Sequence, residues 1–265
     1  MDNLKLVAVD IDGTFVDHNN HYDLAEFRRL FNLMQERGIE FVVASGNQYP
    51  HLARLFPEDL RDRLNFVAEN GALTLAHGQE VFCGGLSWAT LTRAVAAVKA
   101  IPGANYIVST PEAGYFPVDS DDFFKKESEH YCASLAEFTD LAEIKDKQIL
   151  KLTARVEPAE VPLIEAAFKD WPDLHVTSSG FGYLDMINPK LHKAFGLQIL
   201  GEHYRIAPDQ MVVFGDSAND QEMFKLAGRA YAMANAEQIL LDLTAYRAPS
   251  NEENGVLQVL SQLLT

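Results

Sequence analysis

Cysteine is scarce in this chain. Of its 265 residues only Cys83 and Cys132 are cysteines, and they lie far apart without the close spacing of a zinc site. The sequence therefore gives no basis for a disulfide framework or a structural zinc site. A chain of this kind fits a reducing compartment.

Positive charge is also in short supply. Lys and Arg number 22 against 38 Asp and Glu, which gives a formal net charge of −16. Nucleic acids and anionic membrane surfaces attract basic proteins, so neither is an expected partner. No apolar run approaches the ~20 residues of a membrane helix, and no positively charged leader precedes the first apolar stretch. We expect a cytoplasmic protein.

Two carboxylates directly follow the first apolar run of the chain. Residues 4–9 read LKLVAV and residues 10–14 read DIDGT. The apolar run predicts a buried strand, and open α/β folds build active sites at the carboxyl ends of their parallel strands. There Asp10 can attack an electrophile such as phosphorus, and Asp12 can act as acid and base. Because close carboxylates repel each other, a divalent cation is their expected companion. The alternative is an ordinary strand followed by an Asp-Gly turn.

A second buried strand near the other end of the chain has the same design. Residues 211–214 read MVVF, and GDSAND follows at 215–220. Asp216 is placed to complete a shell of oxygen ligands around magnesium, together with Asp10 and the backbone carbonyl of Asp12. The same segment is also suited to capping the next helix.

Two smaller patterns lie between these strands. The apolar run at 41–44 ends in Ser45 and Gly46, whose hydroxyl and exposed backbone amides suit a phosphoryl oxygen. Lys193 opens a helical pattern that continues to Tyr204, so its ammonium can reach an anion above the strand ends. A solvated surface lysine is the alternative.

In this order the four patterns resemble motifs one to four of the haloacid dehalogenase-like superfamily, in its Cof-type branch of phosphatases. The match consists of DIDGT, Ser45-Gly46, Lys193 and GDSAND, and it spans most of the chain. The segments VVASGNQ at 42–48 and VAENGA at 67–72 most resemble those of bacterial sugar phosphatases.

The resemblance implies a chemical role for each matching residue. Asp10 would attack phosphorus and carry an aspartyl-phosphate, and Asp12 would be the acid and base. Ser45 and the Gly46 amide would hold the transferring phosphoryl group, which Asn219 would also contact. Phosphoryl transfer of this kind needs positioning and charge neutralisation more than elaborate covalent chemistry.

The resemblance also implies how charge is neutralised. Lys193 would neutralise the nucleophile and the phosphate. Mg²⁺ would be held by Asp216, Asp10 and the carbonyl of Asp12, while Asp220 would support the metal shell or orient Lys193. An acidic protein that binds phosphate esters needs such local positive charge.

Three positions depart from the usual pattern of the superfamily. Many relatives carry Arg after the Ser-Gly pair, where this chain has Asn47. Lys190 and Ala194 replace the usual small residues around the motif-three lysine. These differences bear on substrate preference rather than on the phosphoryl chemistry.

The alternation of helical and strand patterns predicts an α/β fold. Apolar residues recur at helical spacing over 23–37, the pattern ends at Gly38, and a strand over 39–44 follows. The final residues, 256–264, present an apolar helical face that is expected to dock on the core sheet.

The middle of the chain interrupts this series. Its patterns predict helices over 87–101 and within 159–171, and strands near 106–109, 115–118, 149–156, 175–178 and 182–187. An acidic cluster at 119–122 predicts a solvated face or a helix N-terminus. We therefore predict a Rossmann-like parallel-sheet core, residues 1–84 and 188–265, with an inserted α/β cap domain, residues 85–187. The resemblance implies that this cap closes over the active site and selects the leaving group.

The leading functional prediction is a magnesium-dependent phosphomonoester hydrolase that acts on small sugar phosphates. A phosphomutase-type phosphotransferase, in which a bound sugar intercepts the aspartyl-phosphate before water does, is one alternative. The other is a catalytically silent phosphate-binding sensor, against which the intact Asp10, Asp12, Lys193 and Asp216 argue.

Overall fold

The computed structural model describes residues 3–180 and 182–264 of the chain. These residues form two compact units. The first is drawn from Met1–Gly46, Arg54–Phe82 and His192–Thr265, and the second consists of Asn47–Ala53 and Cys83–Leu191. Each unit contains its own sheet. The predicted α/β fold with an inserted α/β domain is confirmed, while the boundaries after residues 84 and 187 stay predictions.

The strands in chain order are β1 (Leu6–Val9), β2 (Glu40–Ala44), β3 (Asn65–Ala68), β4 (Leu73–Ala76), β5 (Gln79–Cys83), β6 (Asn105–Ser109), β7 (Gly114–Pro117), β8 (Leu135–Phe138), β9 (Lys151–Arg155), β10 (His175–Gly180), β11 (Tyr183–Ile187), β12 (Met211–Gly215), β13 (Arg229–Met233) and β14 (Arg247–Ala248).

The α-helices in chain order are α1 (Leu24–Glu36), α2 (Tyr49–Arg54), α3 (Glu58–Arg61), α4 (Trp88–Lys99), α5 (Asp122–Tyr131), α6 (Val161–Phe168), α7 (Lys193–Tyr204), α8 (Gln221–Leu226), α9 (Gln238–Leu243) and α10 (Gly255–Leu264). Within the described residues, none of these helices has the length and apolar content to cross a membrane.

The sheet of the first unit has the strand order β14-β13-β12-β1-β2-β3-β4-β5. The six strands from β14 to β3 are mutually parallel, and β4 runs antiparallel to β3. Strand β1 lies between β12 and β2, with Val9 opposite both Phe214 and Val43. The residues that follow these three strands therefore meet at one edge of the sheet.

Burial explains why the central strands are nearly uniform apolar runs. Every residue of β1 and β12 is buried, as is typical of parallel strands with both faces covered. Helix α1 is one of the helices that cover the sheet, and its sequence determines where it begins and ends. The Asp23 carboxylate accepts the Glu26 N–H at its start, and Gly38, with φ of +63°, follows its end. Its apolar stripe buries Phe27 and Phe31.

The sheet of the second unit has the order β10-β11-β9-β6-β7-β8. Its strands pair antiparallel except for β7 and β8, which are parallel. One face packs against α4 and α6 in a large apolar cluster, and Ile107, Phe116 and Phe124 form a smaller cluster of their own. The predicted middle strands and helices are thus present, with ends that differ by a few residues.

Two elements of this unit were not predicted. Strand β8, with the sequence LAEF, lies at an edge of the sheet and lacks the β-branched alternation that marks a strand. Helix α5 begins in the acidic cluster, and the Asp121 carboxylate accepts the N–H groups of Phe123 and Phe124 at 2.8 and 3.1 Å. The cluster is therefore a helix N-terminus, and its aspartates are exposed, so both parts of the prediction hold.

Candidate active site

Three carboxylates meet at the carboxyl ends of β1 and β12. Asp10 follows β1 directly, and its N–H donates to the Phe214 carbonyl at 3.1 Å. Oxygen atoms of Asp10, Asp216 and Asp220 all lie within 4.8 Å of one another. Asp10 and Asp220 are buried, with exposed fractions of 5% and 0%. The sheet register therefore brings together groups that are more than 200 residues apart in the chain.

Lys193 is the first residue of α7 and reaches into this cluster. Its Nζ donates to Asp10 Oδ1 and Asp220 Oδ1, each at 2.7 Å, and to Asn219 Oδ1 at 3.3 Å. The residue is only 1% exposed, so the alternative of a solvated surface lysine is wrong. A buried ammonium is tolerable here because carboxylates on two sides compensate its charge.

Residues of the DIDGT turn pack against the Asp216 carboxylate. The Thr14 hydroxyl donates to Asp216 Oδ1 at 2.8 Å. Gly13 has φ of +74°, and a Cβ there would lie 2.5 Å from Asp216 Oδ2. The Asn235 amide donates to the Gly13 carbonyl at 2.7 Å. Sequence reasoning missed Asn235, because it is 222 residues from Gly13 and belongs to no motif.

Asp220 organises the turn after β12. Its Oδ2 accepts the N–H groups of Asp216 and Ser217 at 3.0 and 3.2 Å, while its Oδ1 accepts the Lys193 ammonium. The Asn219 carboxamide oxygen accepts the Ser217 hydroxyl at 2.9 Å in addition to Lys193. The Asp220 carboxylate and the Asn219 carboxamide therefore each bind both the loop after β12 and the Lys193 ammonium.

Ser45 and Gly46 follow β2 at the same sheet edge. Ser45 is 2% exposed, its N–H donates to the Val67 carbonyl, and its own carbonyl accepts the Asn70 N–H at 3.1 Å. A Cβ on Gly46 would lie 3.1 Å from the Asn70 amide group. Asn70 was not among the predicted site residues, although it lies within VAENGA, one of the two segments that support the resemblance.

Asp12 differs from the other carboxylates in being exposed. Its backbone forms a bridge with that of Val16. Among the described residues, the third carboxylate of the candidate metal cluster is Asp220 rather than Asp12. The proposed metal ligand from Asp12 is its backbone carbonyl, and this stays a prediction.

Burial and mutual repulsion raise the pKa values of the clustered carboxylates. Burial raises the pKa of Asp10 to about 6, with Lys193 opposing the shift and Asp216 adding to it. Burial also raises the pKa of Asp216 to about 6, against the Thr14 hydrogen bond, and that of Asp220 to about 6, against Lys193. Burial acts to lower the pKa of Lys193, but Asp10 and Asp220 outweigh it and the pKa is raised.

The donor set fits a divalent cation. Three carboxylates and one ammonium leave a formal charge of −2 in a largely buried site. Carboxylate oxygens are the ligands that hard divalent cations prefer. A bound cation of this charge would balance the cluster.

Comparisons with known proteins identify the family of this chain. Residues 7–260 match the haloacid dehalogenase-like hydrolase family. The chain is 35% identical over 263 residues to the 5-amino-6-(5-phospho-D-ribitylamino)uracil phosphatase YbjI of Escherichia coli, covering 98% of this chain and 96% of that protein. The structure of SMU.1108c from Streptococcus mutans is similar at a TM-score of 0.90 and 34% identity, covering 98% of this chain and 99% of that one.

A more distant structure shares the fold alone. The subclass IIB sugar phosphatase BT4131 has a TM-score of 0.80 at 18% identity, covering 98% of both chains. The family match extends over nearly the whole chain and includes each strand end that carries a site residue. The chain therefore belongs to the haloacid dehalogenase-like hydrolases and is a phosphatase of that family.

Proposed function

We propose that this phosphatase hydrolyses small sugar phosphates in a magnesium-dependent reaction, with Asp10 as the nucleophile and Asp12 as the acid and base. The observation that carries the proposal is the contact of Asp10 with a buried lysine, at 2.7 Å, beside two further carboxylates. The pKa of Asp10, near 6, leaves its carboxylate ionised and nucleophilic at neutral pH.

The reaction has two steps. In the first, an Asp10 carboxylate oxygen bonds to phosphorus, the bond from phosphorus to the sugar oxygen breaks, and Asp12 gives that oxygen a proton. In the second, Asp12 takes a proton from water, whose oxygen bonds to phosphorus as the bond to Asp10 breaks. Inorganic phosphate leaves, and both aspartates return to their starting state.

The phosphoryl oxygens would be held by donors that converge on the same sheet edge. These are the Ser45 hydroxyl, the Gly46 N–H, the Lys193 ammonium and the Asn219 carboxamide. The Asn219 oxygen already accepts Ser217 and Lys193. Its NH₂ group is therefore the end of the amide that can donate to a phosphoryl oxygen.

Mg²⁺ would be held by Asp10, Asp216 and the Asp12 carbonyl, with Asp220 supporting the shell. When bound, Mg²⁺ would neutralise negative charge on the phosphoryl group and so reduce the repulsion between that group and the carboxylates. Lys193 and the backbone amides would complete the neutralisation. Without this positive charge, three carboxylates would repel a phosphate dianion.

The substrate class draws support from one relative. The name of the Escherichia coli phosphatase specifies a phosphate on a ribityl chain, which is the phosphate ester of a sugar alcohol. We propose that this chain acts on small phosphorylated metabolites of that kind, with residues 85–187 as the cap domain that selects the leaving group. A cytoplasmic location is part of the same proposal, supported by the low cysteine content.

Phosphate release from a panel of sugar phosphates tests the proposal, with magnesium or with a chelator. We expect magnesium-dependent release that Asp10→Asn abolishes, because an amide cannot attack phosphorus. Asp170→Asn, which makes the same change at an exposed position of the second unit, is the matched control. A folded native chain that releases no phosphate but converts one sugar phosphate into an isomer would be a mutase, and the hydrolase proposal would fail.

A further inference from the structure

His192 stands at the start of α7 in the place of a helix cap. Its backbone is extended, with φ of −154°, and its ring Nδ1 accepts the Phe195 N–H at 3.1 Å. The same N–H also lies 2.9 Å from the His192 carbonyl. The residue after this cap is Lys193, so the cap fixes the helical turn from which the ammonium reaches Asp10 and Asp220.

The backbone of His192 also lies close to that of Gly71. Gly71, with φ of +90°, packs so closely that a Cβ there would lie 2.4 Å from the His192 carbonyl oxygen. Gly71 belongs to a turn in which Glu69 and Asn70 also have positive φ. The Asn70 N–H in turn donates to the Ser45 carbonyl, and the Asn70 amide occupies the space that a Cβ on Gly46 would need. The start of α7 therefore lies next to the turn that reaches Ser45 and Gly46.

Histidine is an unusual choice for a cap, since Asn, Asp, Ser and Thr are preferred. A neutral cap adds no negative charge near Glu222, which acts on the ring, or at the first turn of α7. Asp10, Asp216 and Asp220 already supply three negative charges, and an Asp cap would add a fourth beside Lys193. Burial lowers the pKa of His192, with Glu222 opposing the shift, so the ring is neutral and its Nδ1 lone pair is available at neutral pH.

We infer that His192 is a positioning residue, whose neutral ring caps α7 and so holds Lys193 against Asp10 and Asp220 without adding negative charge to the site. The inference rests on the proposed function of Lys193 and deepens it. His192 itself touches neither the nucleophile nor the general acid in any described contact.

Four variants separate the cap from the charge. His192→Ala removes the cap, and we expect kcat to fall about fivefold, because Lys193 is then held less firmly against Asp10 and Asp220. His192→Asn and His192→Ser supply neutral caps and should restore kcat to within about twofold of the native value. His192→Asp supplies a charged cap, so it should keep the unfolding temperature while KM rises and inhibition by inorganic phosphate weakens.

Steady-state kcat and KM, inhibition by inorganic phosphate, and thermal unfolding are measured for each variant alongside the native enzyme. His203→Ala, an exposed histidine in the last turn of the same helix, is the control and should match the native enzyme. Native kcat in His192→Ala, or an Asn variant as impaired as the Ala variant, would overturn the inference. So would an Asp variant with native KM. If the native enzyme released no phosphate from any substrate, the proposed function would fail instead, and the two failures are thereby distinguished.

Discussion

Gly13 lies where the chain leaves β1 and turns past the Asp216 carboxylate. Its φ of +74° is in the left-handed region, and the space where a Cβ would stand is occupied by Asp216 Oδ2 at 2.5 Å. Two independent constraints, conformation and close approach, therefore require glycine here. Since Thr14 holds the other oxygen of Asp216, both carboxylate oxygens depend on the path of this turn.

Gly13→Ala should reduce activity about 100-fold, because a displacement of roughly 1 Å in a catalytic group costs that much. The matched control is Gly103→Ala, since Gly103 has the same φ of +74° but no atom within 4 Å of the added Cβ. Both variants carry the strain of an alanine in the left-handed region, about 1 kcal/mol. Phosphate release and thermal unfolding of the two proteins separate strain from the clash. Equal activity in the two variants would show that Asp216 is not displaced.

At the scale of elements, α7 determines where Lys193 lies, and a close approach to β3 determines where α7 lies. A Cβ on Gly196 would lie 2.4 Å from Val67 Cγ1 and 2.8 Å from Val67 Cγ2. No alanine can be accommodated there unless the helix or the valine moves. The first turn of α7, which carries Lys193, would move with the helix.

Gly196→Ala should therefore lower both stability and kcat, with an overpacking cost of about 1–3 kcal/mol. Val67→Ala removes the two methyl groups that clash, so the double variant should be more stable and more active than the sum of the single effects predicts. Urea unfolding and phosphate release are measured for the native chain, the two single variants and the double variant, which together form a double-mutant cycle. If the effects on stability and on activity were both additive, the position of α7 would not depend on its contact with Val67.

Patterns of sequence predict the elements that are buried on both sides and the residues that belong to motifs. The strands that carry Asp10, Ser45 and Asp216 are continuous apolar runs, so their ends, and with them the site, are visible in the sequence. Strand β8 is not, because an edge strand is held by its neighbour rather than by its own pattern. Asn235 and His192 were missed for a related reason: their contacts depend on tertiary approach, to Gly13 in one case and to the first turn of α7 in the other.

At the scale of the whole molecule, the ionised carboxylates lower the stability of the folded state. The chain carries a formal charge of −16, and part of it is concentrated in the largely buried cluster of Asp10, Asp216 and Asp220. Each of these carboxyls has a folded-state pKa near 6, above the ordinary value of 3.8. Between those two values the folded protein holds protons that the unfolded chain has released. The stability that these groups contribute is thus present below about pH 4 and is lost as the pH rises through 6.

The metal-free protein should therefore lose stability between pH 4.5 and 7, by on the order of 2 kcal/mol for each carboxyl that shifts independently. Magnesium should restore stability at pH 7, because it binds the ionised folded cluster and not the unfolded chain. In Asp216→Asn, which removes one half-buried charge of the cluster, the metal-free form should unfold at a higher temperature than the native chain at pH 7, while both the magnesium effect and the activity are lost. Thermal unfolding of the native chain and of Asp216→Asn at several pH values, with chelator and with magnesium, measures the pH dependence, the magnesium effect and the effect of the substitution on stability. A native chain whose unfolding temperature at pH 7 is the same with chelator and with magnesium would contradict the assignment of this cluster as the metal site.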